Sequence, residues 1–210
     1  MKFTKREMDF LNAVTGGGHL FGLPKQTGAM DEKQKEELVR GLKDKGILES
    51  EEKLSVTGGR YVKAVKEYRE AKRHLICNYL HASITAEGWA VLVEPLADGY
   101  EIKRVPAGIL TCLILERCPE GMEEDVRQGA PERTGLAEVL QEIHGAGDAM
   151  MVGSFSGNKA MEESVYYVRG KTICCYDFGS GKRRAVGGRQ MRKELADIVA
   201  GKGGGCMYVG

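Results

Sequence analysis

Apolar residues recur at helical spacing through the first third of the chain. Thr4 and Glu7 form a capping box ahead of Met8, Leu11 and Val14, and Phe3 is placed to staple onto Met8. Gly16, Gly17 and Gly18 end this helix, and Phe21-Gly-Leu-Pro24 reads as an extended connector with two apolar anchors. A second helix opens at Asp31 with Gln34 as its box partner, and its stripe is Leu38, Val39 and Leu42. Gly46 stops it after Lys43 and Lys45, whose charges suit the C-terminal end of a helix dipole. Ile47 and Leu48 face Leu54 and Val56 across the polar segment Glu49 to Lys53, the pattern of a short hairpin. Thr57 then caps a long amphipathic helix carrying Tyr61, Val65, Tyr68 and Leu75, with Lys63, Lys66, Arg69, Lys72 and Arg73 on the solvated side.

Near Ser83 the pattern changes to alternation. Trp89 to Val93 and Tyr100 to Val105 flank the turn signal Asp98-Gly99, which predicts a hairpin. Pro106 stands where a first helical residue tolerates proline, and Ile109, Leu110, Leu113 and Ile114 supply the apolar face of a short helix. Leu136, Val139, Leu140 and Ile143 predict a helix from about Thr134 to His144, broken by Gly145 and Gly147. Strands are expected at Met150 to Phe155, Val165 to Val168 and Thr172 to Phe178, then a glycine-rich basic loop and a helix near Gln190 to Ala200. The glycine-rich tail offers Met207, Tyr208 and Val209 as a short edge strand.

These elements predict an α+β fold, with a central antiparallel sheet flanked by helices. Strand-strand-helix units at residues 89 to 117 and 164 to 200 suggest a pseudo-twofold repeat. Residues 1–82 form an N-terminal helical, winged-helix-like region, and 83–210 the antiparallel sheet and helices, integrated into one fold.

Charge narrows the function. The 31 basic and 30 acidic residues nearly cancel, which removes any global field for nucleic acid or an anionic membrane. No apolar run approaches the roughly 20 residues that span a bilayer, and the N-terminus lacks the apolar core of a signal peptide. The six cysteines, at 77, 112, 118, 174, 175 and 206, have no metal-ligand spacing and read as reduced thiols in the cytoplasm.

Catalytic patterns are missing. In Gly153-Ser-Phe-Ser-Gly157 the centre of the glycine frame is Phe155, which excludes a nucleophile elbow. Tyr176-Asp-Phe-Gly-Ser-Gly-Lys182 lacks the leading glycine and closing hydroxyl of a phosphate loop. His19, His74, His81 and His144 are scattered, and the pairs Glu123 with Glu124 and Glu162 with Glu163 sit in polar surroundings. Neither an enzyme activity nor a cofactor or metal is expected. Gly179, Gly181, Lys182, Arg183 and Arg184 would make a mobile cationic loop able to meet phosphate or carboxylate groups, although a solvated hairpin end explains the same residues.

Residues 31 to 65 resemble the back half of a winged-helix domain such as the MarR-like regulators: Leu38-Val-Arg-Gly-Leu42, Lys45-Gly-Ile-Leu48, a polar wing tip and Leu54-Ser-Val-Thr-Gly58. The helix preceding the wing has five acidic against five basic residues between Asp31 and Lys45, a balance that argues against a phosphate-facing surface. Over the whole chain, the order of elements resembles the EspG family, cytosolic chaperones of type VII secretion, and their Gram-positive relatives. The points of similarity are the opening helix closed by Phe21-Gly-Leu-Pro24, Leu42-Lys-Asp-Lys-Gly-Ile-Leu48 before a turn and helix, the hairpin from Trp89 to Val105 with its helix, and the second set to Ala200.

That resemblance implies a protein that binds the tip of a small helical secreted partner in the cytoplasm, without membrane insertion. The expected partner surface is an exposed sheet face with Tyr100, Tyr166, Tyr167, Tyr176 and Phe178, rimmed by Lys182, Arg183 and Arg184. The alternative is a winged-helix transcriptional regulator with a C-terminal sensing domain.

Overall fold

The computed structural model describes residues 1–24, 28–123, 125, 128–146 and 149–202. The expected edge strand at Met207 to Val209 lies outside the described residues, as do Gly147, Glu124 and Cys206. In chain order the early elements are β1 (Lys2–Thr4), α1 (Lys5–Ala13), α2 (Glu32–Asp44), β2 (Leu48–Ser50), β3 (Lys53–Leu54) and α3 (Val56–Glu70). Next come β4 (Arg73–Cys77), β5 (Leu80–Ile84), β6 (Trp89–Leu96), β7 (Gly99–Pro106) and α4 (Leu110–Leu115). The remainder is β8 (Glu132–Arg133), α5 (Leu136–Ala146), β9 (Ala149–Ser156), β10 (Lys159–Arg169), β11 (Thr172–Asp177), β12 (Lys182–Val186) and α6 (Gly188–Ala200). The fold is α+β with extensive antiparallel sheet, and no helix among the described residues is long and apolar enough to cross a membrane.

The chain divides into two compact units. The first, Met1–Lys72 with Tyr79–Val105, orders its main strands β1-β7-β6-β5. Phe3 stands opposite Tyr100, and both join Val91, Val93 and Ile102 in a core closed by Leu11 of α1, Leu42 of α2 and Val65 and Tyr68 of α3. The Tyr68 hydroxyl donates to the Phe21 carbonyl at 2.7 Å, which ties the connector to α3. Capping boxes at Thr4 with Glu7 and at Asp31 with Gln34 form as expected. The boundary expected near Ser83 falls inside this unit, because the β6-β7 hairpin shares its core with α1, α2 and α3.

Two local expectations are corrected here. Ser55, not Thr57, caps α3: its Oγ accepts the Gly58 N–H at 2.8 Å and donates to the Gly46 carbonyl. Leu75 does not extend α3, which ends at Glu70; Ala71 is extended, and Leu75 lies in β4. A residue seven beyond Tyr68 fits helical spacing, but Arg73-His-Leu-Ile-Cys77 finds a ladder partner in β9 that spacing alone does not reveal.

The second unit joins Arg73–Asn78 to the chain from Pro106 onward, with strand order β4-β9-β10-β11-β12-β8. Asn78, at φ 49°, continues the β4 to β9 ladder past its last residue. Its Oδ1 accepts the Met151 N–H at 2.8 Å and its Nδ2 donates to the Ala149 carbonyl at 3.1 Å. One face of this sheet receives α6, where the Tyr166 hydroxyl and Arg184 both donate to Glu194, at 3.0 and 2.7 Å. The other receives α5, whose Val139 packs among Val165, Tyr167, Cys174 and Tyr176.

Candidate functional site

The two flanks of α5 differ sharply. With Val139 turned into the sheet, helical geometry sets Glu138 and Leu140 about 200° apart around the axis. The acidic flank leans toward β12. Arg183 Nη1 donates to the two carboxylate oxygens of Glu142 at 2.7 and 2.8 Å and to Glu138 at 3.4 Å, while Nε donates to Glu132 at 3.0 Å and Nη2 meets the same Glu132 oxygen. The Tyr167 hydroxyl donates to Glu142 at 2.6 Å.

This network holds its members' protons in predictable ways. Hydrogen bonds donated to Glu132 and then to Glu142 raise the Arg183 pKa against the opposing effect of burial, so the guanidinium stays charged. Burial alone would push Glu142 up, but hydrogen bonds from Tyr167 and Arg183, with the nearby Arg charges, hold its carboxyl below the ordinary value. Burial and the bond to Glu142 push the Tyr167 phenol up.

The opposite flank is apolar and open. Leu136 and Leu140 are 46% and 54% exposed on α5, and Met151 on β9 is 47% exposed. Met151 pairs with Val165 on the sheet face that α5 covers, so its side chain lies beside the helix. Phe155 shares that face and folds over Gly153, where an added Cβ would come within 2.7 Å of its ring.

The residues expected to grip a partner are distributed by strand alternation. Tyr167, Tyr176, Phe178 and Arg183 come together on the α5 face, Tyr176 and Phe178 as an edge-to-face pair with centroids 5.3 Å apart. Tyr166 and Arg184 lie on the α6 face, and Tyr100 belongs to the other unit. Tyr100, Tyr166, Tyr167 and Tyr176 are buried, and of the five aromatics Phe178 is the exposed one. Around α5 the large exposed apolar side chains are instead Leu136, Leu140 and Met151.

Of the two readings of the basic segment, the mobile loop gives way to the hairpin end. Lys182, Arg183 and Arg184 are in strand β12, because Gly181, at φ 63°, closes a tight turn in which its N–H reaches the Asp177 carbonyl at 2.9 Å. Lys182 then stands opposite Asp177 and Arg183 opposite Tyr176. Glu132, Glu142 and Glu194 were not anticipated as partners of these cations. The spacing of Glu138 and Glu142, one helical turn apart beside an apolar seam, was the available signal.

Among the described residues no group of three or more His, Cys, Asp or Glu could hold a metal ion. Burial pushes the Cys77 thiol up to about 11 and raises that of Cys174, so both stay protonated at neutral pH. The arrangement around α5 thus offers apolar contact on one flank and, on the other, an ionic network in which Arg183 and Arg169 meet the three carboxylates of Glu132, Glu138 and Glu142.

Among proteins of curated function, none matches this chain. A family model described as a domain of unknown function, DUF5081, matches residues 1–125. That match takes in the whole of the first unit and continues through β4 and α4 of the second, more than half of the sequence, and the chain belongs to the DUF5081 family.

Proposed function

We propose that this protein is a cytosolic chaperone or adaptor that binds a helical protein substrate of a type VII-like secretion system. The observation that carries the reading is the apolar flank of α5, where Leu136 and Leu140 are exposed beside Met151, which stands opposite Val165 on the sheet face that α5 covers. An isolated exposed leucine means little, but three large apolar side chains along one seam of a helix and its sheet match the way amphipathic helices dock. The resemblance to the EspG family adds the secretion context. In this reading β6-β7-α4 and, within residues 164 to 200, β10-β11 followed by α6 are the two halves of a pseudo-twofold repeat, and the partner is a small helical protein that lays one apolar face beside α5.

The reading is tested by co-expressing the full chain with the small helical proteins encoded beside its gene and separating the products by size. A stoichiometric complex that Leu140→Asp prevents supports it. Separate elution of the chain and each of those candidates contradicts it.

A second reading has one specific observation in its favour, the order α2, β2, β3, α3, which is that of a winged helix. Under it, α2 would enter the major groove of DNA. The balanced charges of α2, with Lys35 already 3.0 Å from Glu32, weigh against this. Salt-sensitive retardation of duplex DNA at low ionic strength would favour it, and unretarded DNA removes it.

A further inference from the structure

A carboxylate borders the apolar flank of α5. Glu163 of β10 stands opposite Gly153 of β9, two residues along from the pairing of Val165 with Met151, so strand alternation puts its side chain on the sheet face that α5 covers. Its Cγ leans over Gly153, 3.7 Å from where a Cβ would stand on that glycine, and the Phe155 ring lies over the same spot. On the other side, Phe178 donates its N–H to the Glu163 carbonyl at 3.0 Å and shows an exposed ring. The Tyr167 hydroxyl meets Glu142 and Val165 packs with Val139, so β10 and α5 run the same way and Glu163 is level with the first turn of α5, where Leu136 is exposed. The Glu163 side chain is itself exposed, and among the described residues no cation pairs with it.

The same face holds an excess of acid. On α5 and strands β8 to β12, among the described residues, it carries Glu132, Glu138, Glu142 and Glu163 against the guanidiniums of Arg169 and Arg183. Arg133, Lys159, Lys182 and Arg184 alternate onto the opposite face. Both guanidiniums are matched by the first three carboxylates, which leaves Glu163 to water. A polypeptide that covered Leu136, Leu140 and Met151 would strip that water away, and a desolvated carboxylate opposes binding unless the partner brings a cation to it. A second copy presenting this flank would set the same excess of acid against itself. An anionic lipid surface is disfavoured by the same charges.

We propose that the occupant of the α5 flank is a basic amphipathic helix, with a Lys or Arg that pairs with Glu163. The step from Val165 to Glu163 is about 7 Å, a little over one helical turn, which sets the partner's cation roughly one turn from the apolar residue that covers Met151. The inference rests on the reading of this flank as a polypeptide site and names the chemistry of what fills it.

The test uses the full chain and two synthetic amphipathic peptides with identical leucine stripes, one carrying lysine and the other glutamate at the flanking positions, with binding followed by calorimetry. The lysine peptide should bind at least about ten-fold more tightly than the glutamate peptide. Glu163→Gln should weaken the lysine peptide by about three- to ten-fold, and Glu163→Lys should shift the preference toward the glutamate peptide. Both variants replace an exposed side chain and should keep the parent unfolding midpoint. Leu140→Asp should weaken the lysine peptide whatever stands at 163. Lysine-peptide binding that is lost in Leu140→Asp but unchanged in both Glu163 variants, or equal affinity for the two peptides, overturns the assignment of a basic helix and spares the flank as a polypeptide site. No binding of either peptide, binding indifferent to Leu140→Asp, or a dimer of the chain that Leu140→Asp dissolves overturns both.

Discussion

Arg183 and Glu142 form a two-oxygen contact, with Nη1 2.7 and 2.8 Å from the carboxylate oxygens, and this contact fixes α5 to β12. The Arg183 side chain is only 9% exposed, so its charge depends on its acidic partners for compensation. Removing it by Arg183→Ala takes the closest cation from Glu142, which keeps the Tyr167 hydroxyl and Arg169, and should cost roughly 1.5–3 kcal/mol of stability. The neighbouring Arg169→Ala, which removes a largely exposed cation, should cost under about 1 kcal/mol. Urea denaturation of the two variants side by side measures the difference, and equal losses would refute this view of the network.

The same network sets an acid limit. Glu142 titrates below its ordinary value of 4.5 in the folded protein, so as pH falls past that value the unfolded chain takes up a proton before the folded one does. Its contribution is therefore complete above the unfolded value and declines as pH drops toward the depressed folded value. Denaturation midpoints recorded from about pH 6 down to about pH 3 should fall, and Glu142→Gln should flatten that fall.

Gly58 and Gly59 make a matched pair on the first turn of α3. A Cβ on Gly58 would sit 2.1 Å from the Ile47 carbonyl oxygen, whereas one on Gly59 meets nothing within 4 Å. Gly58→Ala should destabilise the protein by roughly 1–3 kcal/mol as the backbone is forced to move. Gly59→Ala should be neutral or stabilising by up to about 1 kcal/mol, through helix propensity. Thermal denaturation distinguishes the two signs.

Capping gives a comparable pair. Ser55→Ala removes the acceptor of the Gly58 N–H and should cost about 1 kcal/mol, while Thr57→Ala, inside the first turn, should change stability by much less. The reverse ranking would restore Thr57 as the cap.

The contrast between Ser55 and Thr57 illustrates how far the sequence could be followed. Helices with strong local signals, such as α1 and α2 with their capping boxes, were legible to within a residue or two. So was the β6-β7 hairpin, through Asp98-Gly99. What local patterns could not carry was pairing at long range: Arg73–Cys77 belongs beside β9, some eighty residues away along the chain. The candidate site suffered from two ambiguities. Leu136, Val139, Leu140 and Ile143 form one stripe by periodicity, yet α5 presents Val139 to the core and leaves Leu136 and Leu140 open, because the stripe is wider than the contact. In β12, alternation guaranteed that neighbouring cations would face opposite ways, but which one turned inward depended on acids from β8 and α5.

The polypeptide-binding account is tested most directly by the affinity of the isolated complex between the full chain and its helical partner, measured for the parent and for Leu140→Asp combined with Met151→Asp. Placing two charges on the exposed seam should weaken binding by about a hundred-fold or more while leaving the unfolding midpoint close to that of the parent. An affinity unchanged in the double variant would show that the partner is held elsewhere and would contradict the account.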